Sequence, residues 1–207
     1  MQKTDLTRLY KAYYSAGPRP ELIETGAVRY LSTEGRGDPS GKEFAGKIQA
    51  LYATAYTLKF MYKEMNRDFT VAKLEGLWDF DQQKYGGLSL SEAPLKIPRS
   101  EWQYRLLIRL PDFVSEEHLA PAIEKVLVRK KLRLAREVSS FSLAEGKAVQ
   151  ILHTGPFDRE PETLRQVQEF VKAHNLQKNG LHHEIYLSDI SKTAPERLKT
   201  ILREPVK

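Results

Sequence analysis

The chain reads as an α+β protein: two pseudo-twofold βαββ repeats forming one antiparallel sheet, with helices on one side and a ligand cleft at the seam. Three observations predict this. The order strand, glycine-containing turn, helix, strand, loop, strand occurs twice along the 207 residues. The last strands of the two halves match in sequence, Ile108-Arg109-Leu110-Pro111 against Leu202-Arg203-Glu204-Pro205. The strands before them each carry a glutamate followed by aromatics, Glu75 and Glu184. Self-similarity of this kind is the signature of duplicated supersecondary units, and two such units placed edge to edge share one layered core. Ligand sites favour such junctions.

Each element has its own local reason. Residues 1–20 form a leader, with a short helix over Leu6, Leu9, Tyr10 and Tyr13 that stops at Gly17-Pro18-Arg19-Pro20, where each proline biases its predecessor toward extended geometry. Ala27 to Glu34 is a strand, broken at Gly35-Arg36-Gly37-Asp38-Pro39. Phe44, Ile48, Leu51, Ala55 and Leu58 recur at three- and four-residue spacing and define a helix with a buried stripe; Tyr52 and Tyr56 form a second stripe beside it. Phe69 to Trp78 is the next strand. Asp79 to Pro98 is a long connection rich in Gly, Ser and Pro, of the kind that is often either functional or mobile; it is expected to order over the pocket when ligand binds. Trp102 to Leu110 is a strand. A helical insertion, 111–132, separates the repeats; Ser115 is its N-cap, and Leu119, Ile123, Val126 and Leu127 are its apolar face. Val138 to Leu143 and Lys147 to Thr154 are strands around Glu145-Gly146. A helix runs from about Pro161 to His174, buried through Leu164, Val167, Phe170 and Val171. His182 to Ser188 and Leu198 to Arg203 are the closing strands. The chain is one domain over 1–207.

Composition narrows the function. The chain is 41% hydrophobic and 29% charged, as expected of a folded globular protein. A net charge of +6 is spread along the sequence and interleaved with acids. The densest basic run, Arg129-Lys130-Lys131 with Arg133 and Arg136, ends a helix, where cations suit the dipole. No nucleic-acid recognition module accompanies it, so direct nucleic-acid binding is not expected. Cysteine is absent, which excludes disulfides, thiolate catalysis and cysteine-ligated metals. No apolar run approaches the ~18 residues of a membrane span and the N-terminus lacks a signal-peptide core; a cytoplasmic, membrane-free protein is expected. The five histidines show no metal-ligand spacing, and His182 and His183 diverge on a strand. No metal or cofactor is expected. Gly35-Arg36-Gly37 lacks the spacing of a phosphate loop.

Glu184 is the residue most charged with chemical meaning. It lies in an apolar and aromatic strand, where a carboxylate is unfavourable unless satisfied. It is either a solvated edge charge paired with a Lys or Arg, or the base of a site. On a strand, His182, Glu184 and Tyr186 share a face. Trp102 and Tyr104 likewise share one. With Trp78 they either pack in the core or stack on a flat ligand. Tyr52 and Tyr56 line the sheet–helix core or wall the pocket, and His153 is a strand-end residue that either packs or lines it.

Several stretches, taken in order, resemble the GyrI-like, or effector-binding, family of small-molecule-binding domains, with its SOUL-like fold. They are Gly35-Arg36-Gly37-Asp38-Pro39, the segment from Leu51 to Lys59, Leu74-Glu75-Gly76-Leu77-Trp78, Gln150-Ile151-Leu152-His153-Thr154-Gly155-Pro156, His182 to Asp189, and Leu198 to Val206. The match is to the stand-alone branch, which carries no helix-turn-helix. The resemblance implies an aromatic pocket with a buried glutamate, mapping onto Glu184, that binds cationic drugs elsewhere in the family. It also implies similarity to hydrolases that open the cyclopropane of DNA-alkylating cyclopropanoid toxins, a detoxification. Two positions depart from the pattern: Asp79 stands where a second tryptophan is expected, and Tyr104 where a tryptophan often occurs. Under the hydrolytic reading Glu184 is the base and Tyr104 the donor to the developing oxyanion. Trp78, Trp102, Tyr52, Tyr56, His153, His182 and Tyr186 are the expected ligand-binding residues. The other readings are a non-catalytic module that sequesters or senses a hydrophobic cation, and an interaction protein that shields a partner such as DNA gyrase.

Overall fold

The computed structural model describes residues 3–207. Its elements run α1 (Leu6–Leu9), β1 (Glu21–Arg36), α2 (Lys42–Glu64), β2 (Leu74–Asp79), α3 (Gln82–Tyr85), α4 (Ala93–Lys96), β3 (Gln103–Arg109), α5 (Leu119–Lys130), β4 (Ser139–Thr154), α6 (Glu160–Ala173), β5 (His182–Tyr186) and β6 (Lys199–Pro205). The two βαββ repeats are β1-α2-β2-β3 and β4-α6-β5-β6, and α5 lies between them.

Six antiparallel strands make one sheet in the order β1-β3-β2-β5-β6-β4. The halves meet at β2 and β5, where Gly76 faces Glu184 and Trp78 faces His182. They meet again at β1 and β4, whose pairing from Glu21↔Gln150 to Ser32↔Ser139 closes the sheet into a barrel. This second seam lengthens both strands beyond the sequence reading. β1 starts at Glu21 rather than Ala27, because its N-terminal part finds a partner in β4. The strands expected on either side of Glu145-Gly146 are one continuous strand. Gly146, at φ +70°, absorbs the irregularity within the ladder rather than turning the chain.

Side chains alternate between the two sides of the closed sheet. The outer side is dressed by helices. Leu51, Ala55 and Leu58 of α2 join the cluster of Leu31, Leu106 and Ile108, all buried. Leu164 and Val167 of α6 cover Val149, Ile151 and Leu202. α5 packs on α2 through Ala50, Ala53 and Val126. The Ser115 side chain does not cap: a 3-10 turn at Glu116–His118 precedes α5, no side-chain cap bond forms, and the Ser115 amide donates to Tyr62 Oη at 2.6 Å. Phe69 pairs with Thr4 of the leader, so β2 proper starts at Leu74.

The inner side carries a polar network. His183 Nδ1 meets Glu145 Oε1 at 2.9 Å and its Nε2 meets Glu75 Oε2 at 3.0 Å. Arg203 donates to Glu145 at 3.3 Å, to Gln150 at 2.9 Å and to the Tyr13 carbonyl at 2.9 Å. Tyr13 and Tyr14 donate their hydroxyl protons to Glu75 at 2.6 and 3.2 Å. The leader thus enters the barrel as a stopper of two tyrosines, and Arg109 stacks on Tyr10, 3.6 Å from the ring centre. With His183 charged, two carboxylates face two cations and the buried group is neutral overall. Burial alone would lower the His183 pKa; the adjoining Glu145 and Glu75 outweigh it and raise it. The shared glutamates of the repeat therefore part company: Glu75 faces the barrel interior and Glu184 the helix-covered side, with Gly76 opposite Glu184.

Candidate functional site

β5 is five residues long and wholly buried. Its outward residues His182, Glu184 and Tyr186 meet Trp78 of β2 across the seam. Tyr186 Oη donates to Glu184 Oε2 at 2.6 Å and accepts from Trp78 Nε1 at 3.1 Å. His182 Nε2 stands 3.5 Å from Glu184 Oε1, a charge contact rather than a formed hydrogen bond, and its Nδ1 lies 3.2 Å from Glu204 Oε2. Glu204 in turn pairs with Lys178 at 3.0 Å. A polar chain therefore runs Lys178–Glu204–His182–Glu184–Tyr186–Trp78. Burial opposes the charge on His182, but the bonds and charges of Glu184 and Glu204 prevail and raise its pKa to about 9. It is an imidazolium at neutral pH.

Room for this chain comes from Gly76. A Cβ there would sit 3.1 Å from both Trp78 Nε1 and Tyr186 Oη, tighter than ordinary packing. Gly35 does the same for Tyr104, whose hydroxyl would lie 2.3 Å from an added Cβ. Both glycines are positions where a side chain from a neighbouring strand lies flat on the backbone.

Beside Glu184 the aromatic residues gather around Trp78. Trp102 meets it edge-on at 6.1 Å, Tyr104 at 5.9 Å, and Phe44 of α2 stacks at 6.0 Å. Trp102 lies just outside β3, after a 3-10 turn, yet still shares the cluster with Tyr104. Burial, with Glu43 and Glu137 adding to it, holds the Tyr104 hydroxyl protonated up to about 12. The long connection after β2 contains α3 and α4. It starts from this cluster through Phe80, 5.7 Å from Trp102, and reaches α6, where Ser91 bonds Gln168 at 3.2 Å.

Two glutamates on the outer side belong together. Glu160, the first residue of α6, is 8% exposed, and its Oε1 has no hydrogen-bond partner. Burial, then the nearby Glu184 charge, raises its pKa well above the carboxylate range. The helix dipole favours an anion at this end, but burial wins. Glu160 was not foreseen. Its sequence context, Arg-Glu-Pro-Glu at a helix start, is that of ordinary dipole-matching acids, and nothing local marks one of them as facing the sheet.

Of the other expected site residues, His153 lies at the end of β4 and is occupied in anchoring α6: Nδ1 meets Thr163 Oγ1 at 2.8 Å and Nε2 the Pro156 carbonyl at 3.2 Å. It holds in place the helix that carries Glu160. Tyr52 and Tyr56 line a groove of about 290 Å³ with Gln49, Ala53, Lys130 and Leu132, on the outside of α2. Glu184 does not line that groove.

A six-stranded antiparallel sheet of paired βαββ units, with an aromatic and acidic site on its helix-covered seam, defines a small-molecule-binding domain. A model of the GyrI-like small molecule binding domain matches residues 112–207. An uncharacterized conserved protein from Listeria innocua is similar at 36% identity over 99% of this chain and 100% of its own, TM-score 0.87. A hydrolase from the same organism is similar at 34% identity over 99% of this chain and 100% of its own, TM-score 0.83. The C-terminal domain of EcmrR, at 13% identity over 91% of this chain and 97% of its own, shares the fold with TM-score 0.55. No match was found among curated protein sequences. The chain belongs to the GyrI-like small-molecule-binding family. Among the described residues no helix is long and apolar enough to cross a membrane.

Proposed function

We propose that this protein is a hydrolase that detoxifies flat, strained, alkylating small molecules of the cyclopropanoid class by adding water to the cyclopropane. The observation that carries the reading is the state of Glu184: a buried carboxylate, its side chain 12% exposed, oriented by Tyr186 and His182 against the Trp78 cluster. A planar ligand stacks on indole and phenol faces. Glu184 takes the proton of an attacking water. Charge then flows through the conjugated ring to the carbonyl oxygen, and neutral Tyr104 donates a hydrogen bond to it. Sequence identity of 34% to a protein described as a hydrolase supports the class of activity.

The test is mass-resolved turnover of a cyclopropane-containing DNA alkylator by wild type and Glu184→Gln. A ring-opened, water-added product made by wild type alone supports the reading. Compound that co-elutes unchanged with both proteins sinks it and leaves a binding module for a hydrophobic ligand, with Glu184 as counter-ion and the aromatic faces supplying cation–π attraction.

A further inference from the structure

We infer that Glu160 is the second working carboxyl of the site, meeting an acceptor atom of the bound molecule with its unpartnered oxygen and supplying the proton that the ring-opening step consumes. The inference rests on the hydrolytic reading above and deepens it. Its geometric basis is twofold. Among the described residues Glu160 Oε1 is buried with no hydrogen-bond partner, and His182 Nε2, 3.5 Å from Glu184 Oε1, is likewise without a formed hydrogen bond. Buried polar atoms in a native protein are almost always satisfied. Two unmet atoms near one carboxylate mark a place where a ligand's polar atoms complete the network. The barrel interior, equally buried and more heavily charged, has its carboxylates fully engaged.

The charged surroundings of Glu160 favour the protonated form. Glu184 and the Tyr186 hydroxyl face it from β5, with His182 beyond Glu184 and Glu204 beyond His182. His153 of β4 is occupied by Thr163 and Pro156. Arg159, just before α6, and Glu162 on it are exposed to solvent. Among the described residues no cation pairs with Glu160 to stabilise its anion, and burial beside Glu184 favours its protonated form. Two carboxyls whose environments push them apart are the usual arrangement of an acid with a base.

The step balances. The water oxygen bonds to the ring methylene carbon while Glu184 takes a water proton. The ring carbon–carbon bond breaks, and its electron pair passes through the dienone to the carbonyl oxygen. That oxygen takes the Glu160 proton and becomes a phenol. Glu160 is left ionised and Glu184 protonated, and transfer of one proton between them restores the starting state. Tyr104 bonds the oxyanion throughout without giving up its proton.

The experiment compares wild type with Glu160→Gln, which keeps the shape and neutrality of the protonated acid and so preserves folding, checked by thermal melting. Expected is a fall in kcat of about 100-fold or more with unchanged ligand affinity. The wild-type rate should also lose activity at alkaline pH as Glu160 ionises, and this limb should vanish in Glu160→Gln. A variant active with an unaltered pH profile overturns the proposal and leaves the hydrolytic reading intact. No turnover by wild type overturns both. Difference infrared spectroscopy supplies a readout apart from activity: a protonated-carboxyl stretch at neutral pH in wild type, lost in Glu160→Gln. Its absence from wild type overturns the proposal whatever the substrate.

Discussion

The two faces of β5 carry neighbouring residues with opposite fates. His183 points into the barrel, where both ring nitrogens meet carboxylates and Arg203, Gln150 and two leader tyrosines complete the circle. Glu184, the next residue, points to the helix-covered side, where His182 and Glu160 are left with unmet atoms. Both groups are buried and both are charged. The difference is satisfaction: the inner network closes on itself and is a fastening for the leader, whereas the outer chain is open and is a site. Burial of charge alone does not mark function, since a half-satisfied buried network is unstable without a further partner.

The largest effect that would break this contrast is catalytic. Glu184→Gln is expected to lower turnover of a cyclopropanoid alkylator by about 10²–10⁴-fold while lowering the melting temperature only by the Glu184 share of the His182 pairing, because Gln still accepts from Tyr186 and Glu204 still holds His182. Equal loss of stability would make Glu184 another structural charge. Next comes the inner network. Glu75→Leu strands His183 and two tyrosine hydroxyls, and is expected to cost about 3–5 kcal/mol in denaturant unfolding; a loss below about 1 kcal/mol would mean the leader is not fastened there.

His182 sharpens the comparison through pH. Its folded pKa, about 9, lies above its ordinary value of 6.5. The stability it contributes is therefore fully present below about pH 6.5 and is lost as pH rises through about 9. Unfolding measured from pH 6.5 to 10 should show this fall, and His182→Gln should flatten it. An unchanged slope would place the proton elsewhere. The smallest effect is expected at Tyr56→Ala. Tyr56 is 44% exposed, in the groove on α2, and turnover should stay within about twofold if that groove is separate from the site; this estimate follows from the weak influence of exposed positions. A tenfold loss would join the two.

Much of this was legible in the chain. Periodicity located α2 and α6, since a stripe at three- and four-residue spacing is a direct consequence of helix geometry. The repeated order of elements implied the paired βαββ units, and period-two alternation put His182, Glu184 and Tyr186 on one face and His183 on the other. The same alternation brought Trp102 and Tyr104 to a common side, where both reach Trp78. What sequence could not supply was every relation set by register between distant strands. Glu75 and Glu184 look equivalent in a string of letters, but a shift of one residue exchanges the faces of a sheet, and the β2–β5 pairing puts Gly76 rather than Glu75 opposite Glu184. The closure of β1 on β4 depends on two strands over a hundred residues apart. Glu160 gained its meaning only when His153 and the apolar stripe of α6 laid that helix over β4 and β6, with its first residue near Glu184. The sequence by itself determined which residues share an element and a face, because those follow from local backbone geometry. The tertiary structure decided which charges are met and which remain open, because satisfaction depends on partners that the chain brings together only by folding.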